Sequence, residues 1–262
     1  MKSTSELISM AGRRVLITGA ASGIGLAMAQ RFAEAGASLV LADISQERLA
    51  QVSAELETSG TSLEAHALDV SDKQAIDRFW VGLEKVPDTL INNAGIYPMR
   101  DYLEVDEAFL AQTFRVNLES AFWMSQHFIQ RRSSAGGVII NLSSVEAILP
   151  FKRDMVTYSI SKSGVLALTR SLARDYGKQG FRANVLVPGA IKTPGTKSLV
   201  KKALTQFNFE LMKTGYDFQS RLAMGRWGLP DEVARVALFL ASDLASYVTG
   251  AVIPVDGGFL ST

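Results

Sequence analysis

The chain has 262 residues, 47% of them hydrophobic, with 27 basic and 26 acidic side chains and a net charge of +1. That balance gives no sign of a nucleic-acid surface or a polybasic membrane patch, and the apolar content suits one large α/β core better than two small ones. Cysteine is absent, which rules out disulfides, thiolate nucleophiles and cysteine metal sites and points to a reducing, cytoplasmic setting.

Residues 1–14 lack the continuous apolar stretch of a signal peptide, and no apolar run nears the roughly 20 residues of a membrane-spanning helix. Short β-branched runs then alternate with longer segments of helical period. Residues 13–19 read as a buried strand, 25–35 as a helix stopped by Gly36, and 37–43 as the next strand. Ser45 is placed as the N-cap of a helix through Glu57. Residues 62–70 form the third strand, and Ser71 caps a helix to about Lys85. Residues 88–95 form the fourth strand, followed by one long helix over 107–131. Residues 136–144 form the fifth strand, and 155–176 a second long helix ended by Gly177. Residues 181–189 form the sixth strand, Pro230 opens a helix to about Ala241, and 250–258 form the last strand.

This alternation, with apolar strands throughout, implies an α/β fold: a doubly wound parallel sheet of about seven strands with helices on both faces. Residues 191–226 interrupt it. They mix Lys197, Lys201, Lys202 and Lys213 with Phe207, Phe209, Leu211, Met212, Tyr216 and Phe218. At the end of a strand, such an insertion reads as a lid over a ligand crevice, with a plain pair of surface helices as the alternative. The two histidines, His66 and His127, lack ligand-like spacing, so a zinc site or a histidine-dependent hydrolase is not expected and no metal is assigned.

The first strand runs straight into Thr18-Gly-Ala-Ala-Ser-Gly-Ile-Gly25 and then a helix. Gly19, Gly23 and Gly25 let the backbone turn tightly and approach a ligand, and the helix start offers free N–H groups to a pyrophosphate. Ser22 and Ile24 lie in the same turn. The spacing is GxxxGxG, neither the usual GxGxxG nor a P-loop. Asp43 ends the second strand, where an acid accepts hydrogen bonds from an adenosine ribose and repels a 2′-phosphate. With no basic residue at Ser22 or Ile44, the cofactor reads as NAD rather than NADP, on a Rossmann-type sheet.

Tyr158 and Lys162 stand four residues apart on one helix face. An ammonium beside a phenol favours the phenolate, lowering a pKa near 10 towards the range of a neutral-pH acid/base. By itself this spacing is common on surface helices.

Taken together, the motifs resemble those of the classical short-chain dehydrogenase/reductase family over about residues 13–259. They fall in order: TGAASGIG at 18–25, Asp69-Val70, Asn92 to Gly95, Asn117, Ser143-Ser144, Tyr158 with Lys162, Pro188-Gly189 with Thr193, and Val255 to Gly258. The resemblance implies a single dinucleotide-binding catalytic domain over 1–262. It makes Tyr158 the general acid/base, Lys162 its partner and a ligand of the nicotinamide ribose, and Ser144 the donor to the substrate oxygen. Asn117 would hold a water that continues the proton relay. It implies that Asp69 and Val70 contact the adenine, that Asn93, Ala94 and Gly95 line the cofactor, and that Pro188, Gly189, Ile191 and Thr193 meet the nicotinamide side. Asn92 reads equally as a strand-stabilising residue or a ligand contact. The family serine stands thirteen residues before the tyrosine. Here Ser144 stands fourteen before and Ser143 fifteen, so the intervening loop carries an extra residue, and Ser143 is taken as structural.

The expected activity is an NAD-dependent interconversion of a secondary alcohol and a ketone, in a homotetramer built through the two long helices and the last strand. Phe122, Trp123 and Phe128 read as interface or as core. Two alternatives stand beside this activity: an NADPH-dependent reductase of 3-oxoacyl thioesters, and a catalytically idle NAD-binding regulator. The substrate wall would include Tyr97, Glu146, Ala147, Ile148 and Met155. Glu146 is placed to bind a second substrate hydroxyl, to face solvent, or to pair with Lys152 or Arg153.

Overall fold

The computed structural model describes residues 1–196 and 209–262, without the side chains of residues 209–214. Seven strands form one sheet: β1 (Arg14–Thr18), β2 (Ser38–Asp43), β3 (Leu63–Ala67), β4 (Thr89–Asn92), β5 (Gly137–Leu142), β6 (Phe181–Pro188) and β7 (Val252–Val255). Their order is β3-β2-β1-β4-β5-β6-β7, and every pairing is parallel. The order reverses between β1 and β4, which opens a crevice at the strand ends there.

The helices among the described residues are α1 (Thr4–Ile8), α2 (Gly23–Glu34), α3 (Gln46–Thr58), α4 (Lys73–Gly82), α5 (Glu107–Phe114), α6 (Ser120–Arg132), α7 (Val156–Tyr176), α8 (Phe209–Ser220) and α9 (Pro230–Ala241). Side chains alternate across a strand, so each central strand feeds two cores. Val15 and Ile17 of β1 pack with Met28 and Phe32 of α2 and Val233 and Leu240 of α9. Leu16, between them, faces Ile76 and Trp80 of α4 and Met124 and Phe128 of α6. Burial on both faces explains why these strands read as unbroken apolar runs. None of the described helices is long and apolar enough to cross a membrane.

Local hydrogen bonds shift several expected boundaries. The third strand stops at Ala67, because Asp69 Oδ1 accepts from the Ser71 backbone N–H (2.8 Å) and hydroxyl (2.7 Å) and turns the chain. Asp72, not Ser71, caps α4 through Gln74 (2.8 Å), and α4 ends at Gly82. Ser45 stands at the N-cap of α3 but makes no side-chain cap, while its backbone N–H goes to Asp43 Oδ1 (2.9 Å). The helix expected over 107–131 is broken by a π turn at Arg115–Glu119 that separates α5 from α6. Of the lid expectation, Lys197, Lys201, Lys202 and Phe207 lie outside the described residues, as do the side chains of Phe209, Leu211, Met212 and Lys213.

Candidate active site

The glycine turn joins β1 to α2 at the crevice. Gly19 and Gly23 take left-handed backbone (φ +66° and +57°), a region costly to a residue with a Cβ. A Cβ on Gly25 would overlap the Gly19 carbonyl oxygen, so this helix can approach the turn only as glycine. Ser22 gives α2 no side-chain cap, which leaves the first-turn N–H groups facing outward for a ligand. This cradle of small residues at a bare helix start fits a pyrophosphate.

Two neighbours hold the turn in shape. Asp43 Oδ2 accepts from Ala21 N–H (3.0 Å) while its other oxygen holds Ser45, so the acid at the end of β2 is fixed beside the turn. Asn93 donates its amide to the carbonyls of Thr18 (2.9 Å) and Gly19 (3.1 Å). It therefore braces the turn beside which it is expected to line the cofactor. Thr18 was missed as a functional position. Its hydroxyl accepts from the N–H groups of Asn93 (3.0 Å) and Ala94 (3.1 Å), tying β1 to the loop after β4. A polar residue closing an apolar strand was the signal available.

Asn92 is buried and donates to Ser125 (3.1 Å) and to Asn141 (2.8 Å), which donates in turn to Thr169 (2.9 Å). This is the strand-stabilising role of its two readings. Asp69 is exposed and Val70 buried at the sheet edge. Pro188 ends β6, and Gly189 admits the Asp256 backbone at a distance that a Cβ would block. Ile191 is buried, and Thr193 lies across the crevice against Gly23, 3.4 Å from where a Cβ there would sit.

The catalytic candidates converge at the ends of β4 and β5. The π turn carries Asn117, which is buried, accepts from Ile96 N–H (2.8 Å) and donates back to the Ile96 carbonyl (3.0 Å). It also donates to Ser161 (3.3 Å), whose hydroxyl donates to the Tyr158 carbonyl (2.7 Å). A π turn in a helix commonly marks a functional position. A Cβ on Gly95 would lie 3.3 Å from both Asn117 Oδ1 and Lys162 Nζ, so this glycine keeps open the space that the two share.

Tyr158 and Lys162 are buried on α7. Lys162 donates its ammonium to the Leu142 carbonyl (2.9 Å) and lies 5.9 Å from the Tyr158 ring centre. Ser144 lies close enough to the Tyr158 phenol to lower its pKa, and its hydroxyl accepts from Glu146 N–H (3.3 Å). Ser143 donates to the Lys162 carbonyl (2.8 Å) and so ties the end of β5 to α7.

The expected lowering of the Tyr158 pKa is not what the protein groups produce. Burial pushes the phenol up to about 12; the nearby Ser144 hydroxyl works to lower it, and the charge of Glu146 raises it. Burial also pulls Lys162 down to about 8. The ammonium is turned to a carbonyl, so spacing alone misjudged the field at the phenol.

Glu146 is buried and does not face solvent. Its two oxygens accept from the backbone N–H groups of Phe151 (3.1 Å) and Lys152 (3.2 Å), and burial raises its pKa. Tyr97 meets Tyr158 edge-on at 5.0 Å. Met155 is buried at the start of α7, and Ile148 is exposed. The described residues contain no group of histidines and carboxylates able to hold a metal. His127 instead pairs with Asp77 at 2.7 Å and stacks on Trp80.

A parallel sheet with a glycine cradle at its reversal point, and a serine–tyrosine–lysine set beside it, defines a dinucleotide-dependent oxidoreductase. A family model described as enoyl-(acyl carrier protein) reductase matches residues 19–260. The chain belongs to the classical short-chain dehydrogenase/reductase family. It is 38% identical to a 3-oxoacyl-(acyl-carrier-protein) reductase of Thermotoga maritima, covering 95% of this chain and 98% of that one. It is also 38% identical to galactitol 2-dehydrogenase (L-tagatose-forming) of Cereibacter sphaeroides, covering 95% of each. A solved gluconate 5-dehydrogenase of Burkholderia cenocepacia, in complex with NADP and tartrate, superposes with a TM-score of 0.88 at 31% identity, covering 99% of this chain and all of that one.

Proposed function

We propose that this chain is a one-domain, NAD-preferring dehydrogenase that interconverts a secondary alcohol and a ketone on a polyhydroxylated substrate. The observation that carries the reading is the convergence of Ser144, Tyr158, Lys162 and Asn117 at the mouth of the crevice whose other wall is the glycine turn. When bound, the dinucleotide exchanges hydride with the carbinol carbon and, in its oxidised form, adds positive charge to the site. Tyr158 carries the proton at the substrate oxygen, Ser144 donates a hydrogen bond there, and Lys162 keeps a cation behind the phenol. At neutral pH the protein's own groups hold Tyr158 protonated, the form that returns a proton to a carbonyl.

NAD is favoured because Asp43 is fixed at the end of β2 by its bonds to Ala21 and Ser45, where its charge opposes a 2′-phosphate. Neighbouring Ile44 is exposed and brings no cation. The galactitol and gluconate enzymes among its relatives support a polyol or sugar-acid substrate, and the equally similar 3-oxoacyl reductase keeps the acyl thioester as the alternative. The same family resemblance supports a homotetramer.

Titration with NAD and NADP, followed by turnover on polyols and sugar acids, tests the reading. NAD should bind at least tenfold tighter than NADP, and equal affinity rejects the preference. Tyr158→Phe should keep cofactor affinity while kcat falls by about 10²–10⁴-fold. Retained turnover removes Tyr158 from the chemistry, and a wild-type protein that binds NAD but turns nothing over is the idle regulator.

A further inference from the structure

The loop between β5 and α7, which carries the extra residue, is tied down along its length. Glu146 takes the N–H groups of Phe151 and Lys152. The Phe151 ring stands edge-on to Phe218 and Phe259, each at 5.5 Å. Asp154, in left-handed backbone at φ 62°, gives its carbonyl to Arg100 N–H (3.0 Å). The Ala147 carbonyl accepts from Ser163 (3.1 Å). These bonds fix the backbone on either side of Lys152.

From that position the half-buried Lys152 side chain reaches the site. Its ammonium lies 5.2 Å from the centre of the Tyr97 ring, the ring that meets Tyr158 edge-on at 5.0 Å. One aromatic ring thus touches both the candidate acid/base and a cation. Among the described residues no carboxylate comes within ion-pair distance of that ammonium and no acceptor hydrogen-bonds it. Glu146 is the nearby charge that acts on it, and both Glu146 oxygens are committed to backbone N–H groups. Burial works against the charged form of Lys152. A partly desolvated ammonium held beside a reaction centre without a protein acceptor is set to receive one from a ligand.

We propose that the substrate is a hydroxy acid and that Lys152 receives its carboxylate while its carbinol lies at Ser144 and Tyr158. This rests on the alcohol–ketone reading and adds the sign of the substrate's charge. The carboxylate takes a charge-assisted hydrogen bond from Nζ, and the Tyr97 ring sets the spacing between the two ends of the substrate. Lys152 selects the substrate and transfers no proton.

Steady-state kinetics on matched acid and neutral pairs provide the test: tartrate with threitol, gluconate with glucitol, and 3-hydroxybutyrate with 2-butanol. At least one acid should exceed its neutral partner in kcat/KM by tenfold or more. Lys152→Met should lower that acid's kcat/KM at least tenfold, mainly through KM, and leave the neutral partner within twofold. Lys152→Arg should recover part of the loss, and unchanged melting of both variants shows that folding is not the cause. Neutral alcohols turned over as well as their acids, or a Lys152→Met loss shared equally by both, overturns the inference. If neutral alcohols alone are oxidised, in a Tyr158-dependent way, the inference fails and the alcohol–ketone reading stands. If no member of the pairs is turned over, both fail.

Discussion

Lys162 shows how far a single position can be read from its neighbours in sequence. Its four-residue spacing from Tyr158 was legible, because helix geometry fixes it. Its electrostatic state was not, because that depends on its burial behind β5 and on the Leu142 carbonyl, to which it donates at 2.9 Å. Burial lowers its pKa from 10.5 to about 8. The sign for stability follows from proton binding. Between pH 8 and 10.5 the unfolded chain holds more protons at this position than the folded protein, so stability rises with pH there. Below pH 8 both forms are protonated and the cost of a buried charge is carried in full. Lys162→Met lacks this slope. The melting temperature of the wild type should therefore gain on that of the variant from pH 8 to 10, with a constant gap below pH 7. Parallel curves throughout the window would show that the ammonium is not desolvated. Ser144 and Ser143 make the same point about legibility. Their adjacency left the choice to family spacing, and only the bond from Ser143 to the Lys162 carbonyl separates their tasks.

At the level of elements, the strands and the glycine turn were legible because sterics and burial restrict which residues can occupy them. The π turn at Arg115–Glu119 was not, since one displaced backbone hydrogen bond leaves the apolar pattern of a helix nearly unchanged. The start of α4 was similarly ambiguous, because Ser71 and Asp72 are both good caps and only the carboxylate reaches Gln74. Two helical glycines separate a packing requirement from a mere propensity. At Gly25 a Cβ would overlap the Gly19 carbonyl and lie 2.6 Å from Asn93 Nδ2, and that carbonyl is itself held by Asn93. Neither group can retreat without opening the turn. At Gly164 on α7 the obstacle is the flexible end of Leu118, 2.7 Å away at Cδ2. Leu118 can change rotamer, and alanine favours a helix over glycine by about 1 kcal/mol. In guanidinium unfolding, Gly164→Ala should stay within about 1 kcal/mol of wild type. Gly25→Ala should lose about 3 kcal/mol or more and weaken dinucleotide binding with it. Equal losses would mean that the turn yields as easily as a leucine side chain.

For the whole molecule, the sequence said least about assembly, because an exposed apolar residue and a core residue look alike until the fold places them. The structure separates the three residues on α6 that had been read together. Phe128 is fully buried, Trp123 is partly buried, and Phe122 is exposed. Leu110 on α5 and Val156 and Ile160 on α7 are exposed as well. Phe239 on α9 and Leu244 and Tyr247 just after it form a second exposed apolar set. If both sets pair with their own copies, two such surfaces on one chain generate a closed tetramer with two kinds of twofold contact, as proposed. Light scattering should therefore give about four times the 28.4 kDa chain mass. Phe122→Glu combined with Ile160→Glu should halve that mass by removing the contact across the long helices, while Tyr247→Glu should act on the other. A monomeric wild type would reject the tetramer. Every residue assigned here to the cradle, the proton and the carboxylate comes from one chain. A variant halved to a dimer should thus keep its turnover per site while its melting temperature falls. Loss of turnover in proportion to loss of mass would instead mean that the site borrows its rigidity from the neighbouring subunit, through α7, which carries both Tyr158 and the exposed Ile160.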